Sequence, residues 1–558
     1  MNTTVKNNFS SLFLSRGLNY ISGDKPMLEI LSHFGFKPDQ DLIELGGYVS
    51  EEMIEALDVI DHYSKPVLHT WGLLGDRIDY VRISPDHERV LTKLQNLGVI
   101  RKMNGKRMSL MDHFVSGYAI SDSGVFCTMT LTAQTAYILN KYGDPSLKKK
   151  YLGRFFDRNN PWYGATFYSE IQGGSDIGAN TTIAEQDGDR FYLTGSDKYF
   201  ASNAGIADAA LVTARFRDSP KGAKGISLFL VPAYCDDGKL NYTIRRLKNK
   251  MGTTAVPTGE VEFNRSEAYL IGSMKEGIYL SMEALIISRI DDAIAAVGIA
   301  RKALWEAYLF AEKREAFGKK LIDHDLMRKD FMELEIDLEA AAVLSILSAK
   351  YFDDASDSRP PYDTKYHFSR LLGNIAKSIA ADTSAGITRY SMEMLGGIGF
   401  FEEFPMAKFH RDSIVTSIWE GTSNIQALET LEVLTRKEGV RMLHEHLNAA
   451  VSGFRDREFA KLFHKESGRI LQKIMDMLSS GEQEYYSKEI LRLLGTVIAS
   501  AELELIGQDI PEGNGIMRLT SRLYFQEKLL GKSIEFDEMQ KNLNIIRWMA
   551  EARGETGK

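Results

Sequence analysis

The chain has 558 residues, 44% hydrophobic and 26% charged, an ordinary globular balance with room for several domains. A net charge of −8 argues against bulk attraction to nucleic acid or to an anionic membrane. The two cysteines, Cys127 and Cys235, make no disulfide framework or zinc spacing, and the absence of any run near 18 uncharged apolar residues predicts no membrane span.

The opening stretch, MNTTVKNNFSSLFLSRGL, lacks the long apolar core and small-residue cleavage site of a secretory signal, so a cytoplasmic location is expected. Residues 1–160 read mainly as a helical domain. EEMIEALDVIDHYS and DHERVLTKLQNLGVI repeat apolar residues three and four apart. FCTMTLTAQTAYILNKYG runs to a stop at Gly143, and Asp144-Pro145 opens the next segment. SLKKKYLGRFF, basic and amphipathic, reads as a solvated helix face.

At about residue 161 the texture changes. YGATFYS, RFYLTGSDKYFAS, AALVTARF, GISLFLVPA, YTIRRL and GEVEFN are short and rich in β-branched and aromatic residues. Turn signals such as Asp187-Gly188-Asp189 and Asp236-Asp237-Gly238 separate them. Residues 161–273 are therefore expected to form an antiparallel β domain, a barrel or a sandwich.

Helical periodicity returns near residue 275. One long helix should end at Phe317-Gly318, a second run from about Leu326 to Tyr351, and a third from about Lys365 to Leu395. A fourth should start at Thr422 or Ser423, so residues 274–436 suggest a four-helix bundle. Residues 437–558 read as a helical extension with breaks at Ser479-Ser480-Gly481 and Pro511-Glu512-Gly513-Asn514-Gly515. Its 18 Lys+Arg balance 19 Asp+Glu, which is no basic tail.

The stretch with most chemical promise is Trp419-Glu420-Gly421-Thr422-Ser423-Asn424. A carboxylate stands between an indole and a glycine, and Ser423 to Gln426 match an S-x-x-Q capping box. Glycine lets a ligand approach the backbone, helix-start amides favour anions, and an apolar wall tunes a carboxylate toward a catalytic base. An ordinary acidic residue near a helix dipole has the same local pattern.

Other stretches are individually modest. Ser169-Glu170-Ile171-Gln172-Gly173-Gly174-Ser175-Asp176 can present N–H groups and a hydroxyl, and can equally be a plain turn. It is neither a Walker loop nor G-x-G-x-x-G. Phe200-Ala201-Ser202-Asn203 ends a strand and could flank a planar ligand. Arg314-Glu315-Ala316-Phe317-Gly318, followed by His324-Asp325, places a guanidinium at a helix end, suited to a phosphate or to the helix dipole. Glu393-Met394-Leu395-Gly396-Gly397 reads as a helix C-cap that also allows a close approach. No Ser-His-Asp arrangement and no metal cluster is legible.

The order SEIQGGSD, KYFASNAG, KMGTTAVPTGEVEF, REAFGKKL, MEMLGGIGF, IWEGTSNIQ, preceded by YGDPSLKKKYLGRF, resembles the acyl-CoA dehydrogenase flavoprotein superfamily over roughly residues 85–435. Within it the chain is most similar to the AidB-type branch. The features behind this are Gln172 to Asp176 with Asn180-Thr181-Thr182, Met392-Glu393, Glu402-Glu403, Ser417 to Glu420 and the long C-terminal extension.

The resemblance implies an α+β fold: N-terminal helical domain, central β domain, C-terminal four-helix bundle and an extra C-terminal helical extension. It implies FAD bound in extended form at a subunit interface of a homotetramer, a dimer of dimers. Tyr168, Ser169, Gly174, Ser175, Phe200, Ala201 and Ser202 would hold the ring. Arg314 and Phe317 would reach the FAD of a neighbouring subunit, with His324 nearby. Gly396 and Gly397 would lie along its phosphates, and Trp419, Thr422 and Asn424 would also contact it. Ser175, Arg289, Trp419 and Gly421 would bind an acyl-CoA substrate.

Glu420 matches the family's catalytic base, which takes an α-proton while a β-hydride leaves for the flavin. This is EC 1.3-type chemistry, with a separate electron acceptor. The thioester carbonyl would be held by the base's own N–H and a ribityl hydroxyl.

Three positions depart from the family. Phe200 stands where tryptophan is common, and Asp325 replaces a common glutamine. Ile286, three residues before Arg289, replaces an acid that contacts the CoA portion, and an aliphatic side chain cannot accept that hydrogen bond. A nucleic-acid-associated protection role is the alternative, disfavoured by charge; a flavin oxidase acting on a non-CoA substrate is another.

Overall fold

A computed structural model describes residues 12–100, 103–104, 107–108, 110–509 and 515–552. The first eleven residues of the N-terminal stretch and the Pro511 to Asn514 part of the expected break lie outside the described residues. The chain forms two compact units: one of Met53–His113 and Asp122–Asp291, the other of Met1–Glu52, Phe114–Ser121 and Asp292–Lys558.

The first unit is built on a seven-stranded sheet. Thr258–Ile271, the longest strand, pairs with Arg190–Ser202, Thr243–Leu247 and Ile226–Pro232. Ile183–Asp187 continues from Arg190–Ser202, and Ala209–Phe216 links Ile183–Asp187 back to Ile226–Pro232. Five strands thus close a ring, a barrel whose closure removes exposed edges. Three register shifts between Thr258–Ile271 and Arg190–Ser202 supply the bends that let one strand serve three partners. Most pairings are antiparallel, while Ala209–Phe216 pairs in parallel with both Gly164–Phe167 and Ile183–Asp187. Phe167, Leu193, Val212, Phe229, Val261 and Phe263 fill the interior.

Against Gly164–Phe167 lies the helix Ser123–Tyr142, buried along nearly its whole length. Its N-cap Asp122 accepts from the Val125 N–H, and Gly143 ends it as the residue pattern predicts. A Cβ on Gly164 would meet Thr135 Oγ1 at 2.4 Å, so glycine permits this close helix–strand approach. The next helix, Pro145–Tyr151, is capped by Asp144 with Pro145 in its first turn.

A two-stranded antiparallel sheet, Val67–Trp71 with Arg77–Arg82, interrupts the expected helical run. The hydrophobic pattern hides it, because Trp71, Leu73 and Leu74 are exposed. What holds it is polar: Asp79 Oδ2 accepts from the Ile244 N–H at 2.8 Å, and Arg77 donates to the Ile244 carbonyl.

Gly277–Lys313 belongs to the first unit through Asp291 and to the second from Asp292. The second unit also contains Asp325–Ala355, Thr364–Leu395 and Ser423–Arg436, with starts and ends close to those expected. Pro405–Val415 is an additional helix; its Pro405 sits in the first turn and only Met406, Ala407 and Phe409 supply buried apolar bulk beside it. After Arg436 come Gly439–Gly453, Arg457–Ser479, Gln483–Asp509, Ile516–Tyr524, Phe536–Lys541 and Asn544–Glu551.

These C-terminal helices pack directly on the bundle. A Cβ on Gly495 would meet Ile379 at 2.0 Å. Trp305 Nε1 donates to the Met549 carbonyl at 2.9 Å, and the Trp305 and Trp548 rings lie 5.4 Å apart, edge to face. Among the described residues, no helix is long and apolar enough to cross a membrane.

Candidate functional site

The Glu420 turn is built wholly within the second unit. Glu420 has φ 56 and Gly421 φ 101, both left-handed. Such a conformation costs a non-glycine residue about 1–2 kcal/mol, so its surroundings must hold it. Lys377 Nζ donates to the Gly421 carbonyl at 2.7 Å. Gln426 Nε2 donates to the carbonyls of Glu420 and Gly421 at 3.1 and 3.0 Å. The expected capping box is therefore corrected: Thr422 is the N-cap and makes no side-chain cap bond, and Gln426 reaches back past it to the turn. Helix start, turn and carboxylate stand where the residues place them.

The indole N–H of Trp419 donates to Asp292 Oδ1. Lys377 Nζ lies 3.6 Å from Asp292 Oδ2, and both side chains are buried. Burial pushes the Asp292 carboxyl well above its ordinary range; the nearby Glu420 charge adds to this, while Lys377 and the indole N–H oppose it. Glu420, Trp419 and Gly421 are half-buried, and Thr422 and Asn424 are exposed at the helix start.

Elsewhere in this unit, Glu315–Ala316 pairs with Lys319–Lys320 around Phe317 (φ 52) and Gly318 (φ 81), a tight two-residue turn of the primed kind. It leaves Phe317 96% exposed. His324 lies beside it: its Nε2 is 3.1 Å from the Ala316 carbonyl, and its ring meets Phe317 edge-on at 6.2 Å. Arg314 is exposed just beyond the helix, and its guanidinium makes no ion pair among the described residues. Asp325 accepts from Gln540 of the C-terminal extension at 3.1 Å. Gly396, at φ 67, caps Thr364–Leu395, and a Cβ on it or on Gly397 would meet nothing within 4 Å. Gly399 differs, since a Cβ there would strike the Met392 carbonyl at 2.3 Å.

In the first unit, the Ser169–Asp176 loop and the end of strand Arg190–Ser202 are tied together. Glu170 and Lys198 form a fully buried ion pair of 3.0 Å. The Glu170 carboxylate also accepts from the backbone and hydroxyls of Thr181 and Thr182. Burial opposes its charge, but Lys198 and these donors outweigh it and hold the carboxyl at about 2. The Tyr199 N–H donates to the Ser169 carbonyl at 3.1 Å, so loop and strand share one register.

A Cβ on Gly174 would lie 2.2 Å from Ser169 Oγ, which places that hydroxyl directly over the Gly174 backbone. Ser175 is exposed, Phe200 is 53% exposed, and Ser202 is half-buried with Oγ 3.4 Å from Thr258 Oγ1. Tyr168 and Ala201 are buried; the Tyr168 carbonyl accepts from Asn180 at 2.6 Å, and Ala201 is paired with Gly259 in the sheet. Arg289 and Ile286 are both buried on the long helix.

Two residues that the sequence reading does not single out support the Glu420 turn, Asp292 through the Trp419 indole and Lys377 through the Gly421 carbonyl; Gln426 is read there only as part of a capping box. The available signal is a charge inside an apolar helical run, as in SRIDDAIAA and GNIAKSIAA.

The family model described as acyl-CoA dehydrogenase, C-terminal domain, matches residues 275–434, and that described as acyl-CoA dehydrogenase, middle domain, matches residues 165–266. The chain is 28% identical over 511 residues to the putative acyl-CoA dehydrogenase AidB of Escherichia coli K12, covering 86% of this chain and 90% of that protein. It is 32% identical to the cyclohex-1-ene-1-carbonyl-CoA dehydrogenase of Syntrophus aciditrophicus, over 57% of this chain and 75% of that protein. Its fold is similar to the crystal structure of Caenorhabditis elegans ACDH-11 in complex with C11-CoA, at a TM-score of 0.82 and 23% identity, covering 96% of each chain.

Proposed function

The chain belongs to the acyl-CoA dehydrogenase family, and from that premise we propose that it oxidises an acyl-CoA thioester with FAD, Glu420 taking the α-proton. The observation that carries the assignment of the base is the left-handed Glu420 turn, held at two carbonyls by Lys377 and Gln426 beside an indole. A backbone held in this way fixes the point from which the Glu420 side chain departs, which a general base needs.

Each unit, taken by itself, carries groups suited to a part of FAD. Ser169, Ser175 and Ser202 offer hydroxyls beside the exposed Phe200, for a planar ring. Arg314 offers an exposed guanidinium for a phosphate, and Gly396 and Gly397 offer backbone with open space around it. Phe317, His324, Thr422, Asn424, Tyr168, Gly174 and Ala201 complete the proposed contacts.

FAD bound there supplies the acceptor for a hydride from the β-carbon. Glu420 removes the α-proton, so both C–H bonds break and a Cα=Cβ double bond forms. Gly421 and Trp419, on either side of Glu420 in the chain, are proposed as substrate contacts. Ser175 and Arg289 are the further substrate contacts proposed. With Ile286 aliphatic, CoA recognition relies on other hydrogen-bond acceptors. A separate acceptor removes the electrons, and the proposed assembly is a cytoplasmic homotetramer. The domain limits proposed are 1–160, 161–273, 274–436 and 437–558.

The test is anaerobic. Purified yellow protein is mixed with acyl-CoAs of different chain length and the flavin absorbance is followed. Bleaching by one length class is expected; none by any class overturns the reading.

A further inference from the structure

We propose that Asp24, Arg301, Glu335 and Glu339 form a proton-dependent latch for the C-terminal helix Asn544–Glu551, which stays docked while Glu335 and Glu339 share a proton and is released when that proton leaves. The inference does not depend on the flavin reading. The cluster lies wholly in the second unit, and none of the four residues is more than 3% exposed. Arg301 Nη1 donates to Glu335 Oε2 at 2.6 Å, Nη2 donates to Glu339, and Nε lies 3.1 Å from Asp24 Oδ2. Asp24 is also the N-cap of Lys25–His33, accepting from the Met27 N–H, and it accepts from the Tyr118 hydroxyl. The last helix closes on this cluster through Trp548. Its indole N–H donates to Glu335 Oε1 at 3.1 Å, and its ring lies 5.0 Å from the Arg301 guanidinium.

One guanidinium does not balance three carboxylates away from water, and an unpaired buried charge is costly. The cluster relieves the excess by holding a proton. Glu335 and Glu339 stand one turn apart on Asp325–Ala355 and hydrogen-bond to each other, which two acceptor-only carboxylates cannot do. Burial raises both carboxyls, with Arg301 opposing, and Glu339 is held well above the ordinary carboxylate range. The stabilisation they give is therefore complete below the ordinary 4.5 and is lost as pH rises through the raised folded values. The last helix is the part that yields, because it is short, lies near the chain end and covers Glu335. Undocking Trp548 lets water reach the pair, which then ionises. The other titratable groups around the cluster are Arg547, facing Tyr308, and Glu551, paired with Lys25 at the surface. Glu29 faces Asp24 and Lys25, and burial raises its carboxyl to about 7.

The experiment is hydrogen–deuterium exchange of the full-length holoprotein at a series of pH values above the ordinary carboxylate range, corrected for intrinsic exchange, reading the amides of residues 544–551. One proton released on opening makes their opening constant rise about tenfold per pH unit. These amides should also exchange about tenfold or more faster than those of Asp325–Ala355, because the helix leaves without global unfolding. Glu339→Gln keeps a donor beside Glu335 without a titrating proton, so its opening constant is expected to change by less than about twofold per pH unit. Glu29→Gln should keep the parent's slope. A flat profile in the parent or an unchanged slope in Glu339→Gln overturns the proposal. So does a lost slope in Glu29→Gln, which assigns the titration to Glu29, or exchange no faster than that of Asp325–Ala355. If Glu339→Gln fails to fold, Glu335→Gln decides by the same readout, because its amide still accepts from Trp548 and donates to Glu339. If both fail, the slope in Glu29→Gln decides.

Discussion

Glu170 and Lys198 meet at 3.0 Å with neither side chain exposed to solvent. Their pairing joins the Ser169–Asp176 loop to the strand that carries Phe200, so one buried contact orders two candidate ligand-binding stretches. Lys198→Met strands a carboxylate in the barrel and is expected to cost about 3–5 kcal/mol in denaturant unfolding.

Glu170 also gives the barrel an acid sensitivity. Its folded carboxyl sits near 2 against an ordinary 4.5, so its stabilisation is complete above pH 4.5 and is lost as pH falls toward 2. Glu170→Gln should therefore flatten the dependence of stability on pH in that window, by about 3 kcal/mol between its ends. Unfolding curves measured from pH 2 to 6 check this, and equal slopes in both proteins would refute it.

Glu420→Gln removes the base and keeps the shape. The yellow holoprotein should persist while flavin reduction by substrate slows about 10²–10⁴-fold. Stopped-flow absorbance measures the loss, and undiminished turnover would remove Glu420 from the mechanism.

Gly174→Ala brings a Cβ to 2.2 Å from Ser169 Oγ, and the hydroxyl must rotate away. Weaker FAD retention is expected with little change in unfolding, because the loop is partly exposed. Flavin content after gel filtration, compared with that of Ser169→Ala, gives the answer.

Arg314→Ala alters an exposed side chain beyond a helix end. Flavin content should fall while the apoprotein unfolding midpoint stays within about 0.5 kcal/mol of the parent. Full flavin content would remove Arg314 from phosphate binding.

Trp548→Ala tests the C-terminal packing. The indole is 2% exposed, donates to Glu335 at 3.1 Å and lies against Trp305. A loss of about 3–5 kcal/mol is expected from calorimetry or denaturant unfolding. A negligible change would show that the extension does not brace the bundle.

Local signals in the chain determined a good deal. Apolar spacing located the long helices, Asp144-Pro145 and Gly143 marked a start and a stop, and Trp419-Glu420-Gly421 with the helix behind it located the candidate base. These features depend on residues within a turn or two of one another, which is why they are legible in order along the chain. The hairpin at Val67–Trp71 and Arg77–Arg82 escaped, because its exposed apolar residues break the inside–outside rule and its anchor, Ile244, is remote in sequence. Likewise, Asp292, Lys377 and Glu170–Lys198 read only as charges in apolar or mixed stretches. Whether a buried charge is paired depends on which distant residue folding brings beside it: Trp419 and Asp292 are 127 positions apart. The sequence alone thus determined the long helices, the barrel's strands other than Ile183–Asp187, and the residue proposed as base. The tertiary structure decided what holds that residue in a left-handed turn, since long-range pairing of polar groups leaves no periodic trace in one dimension.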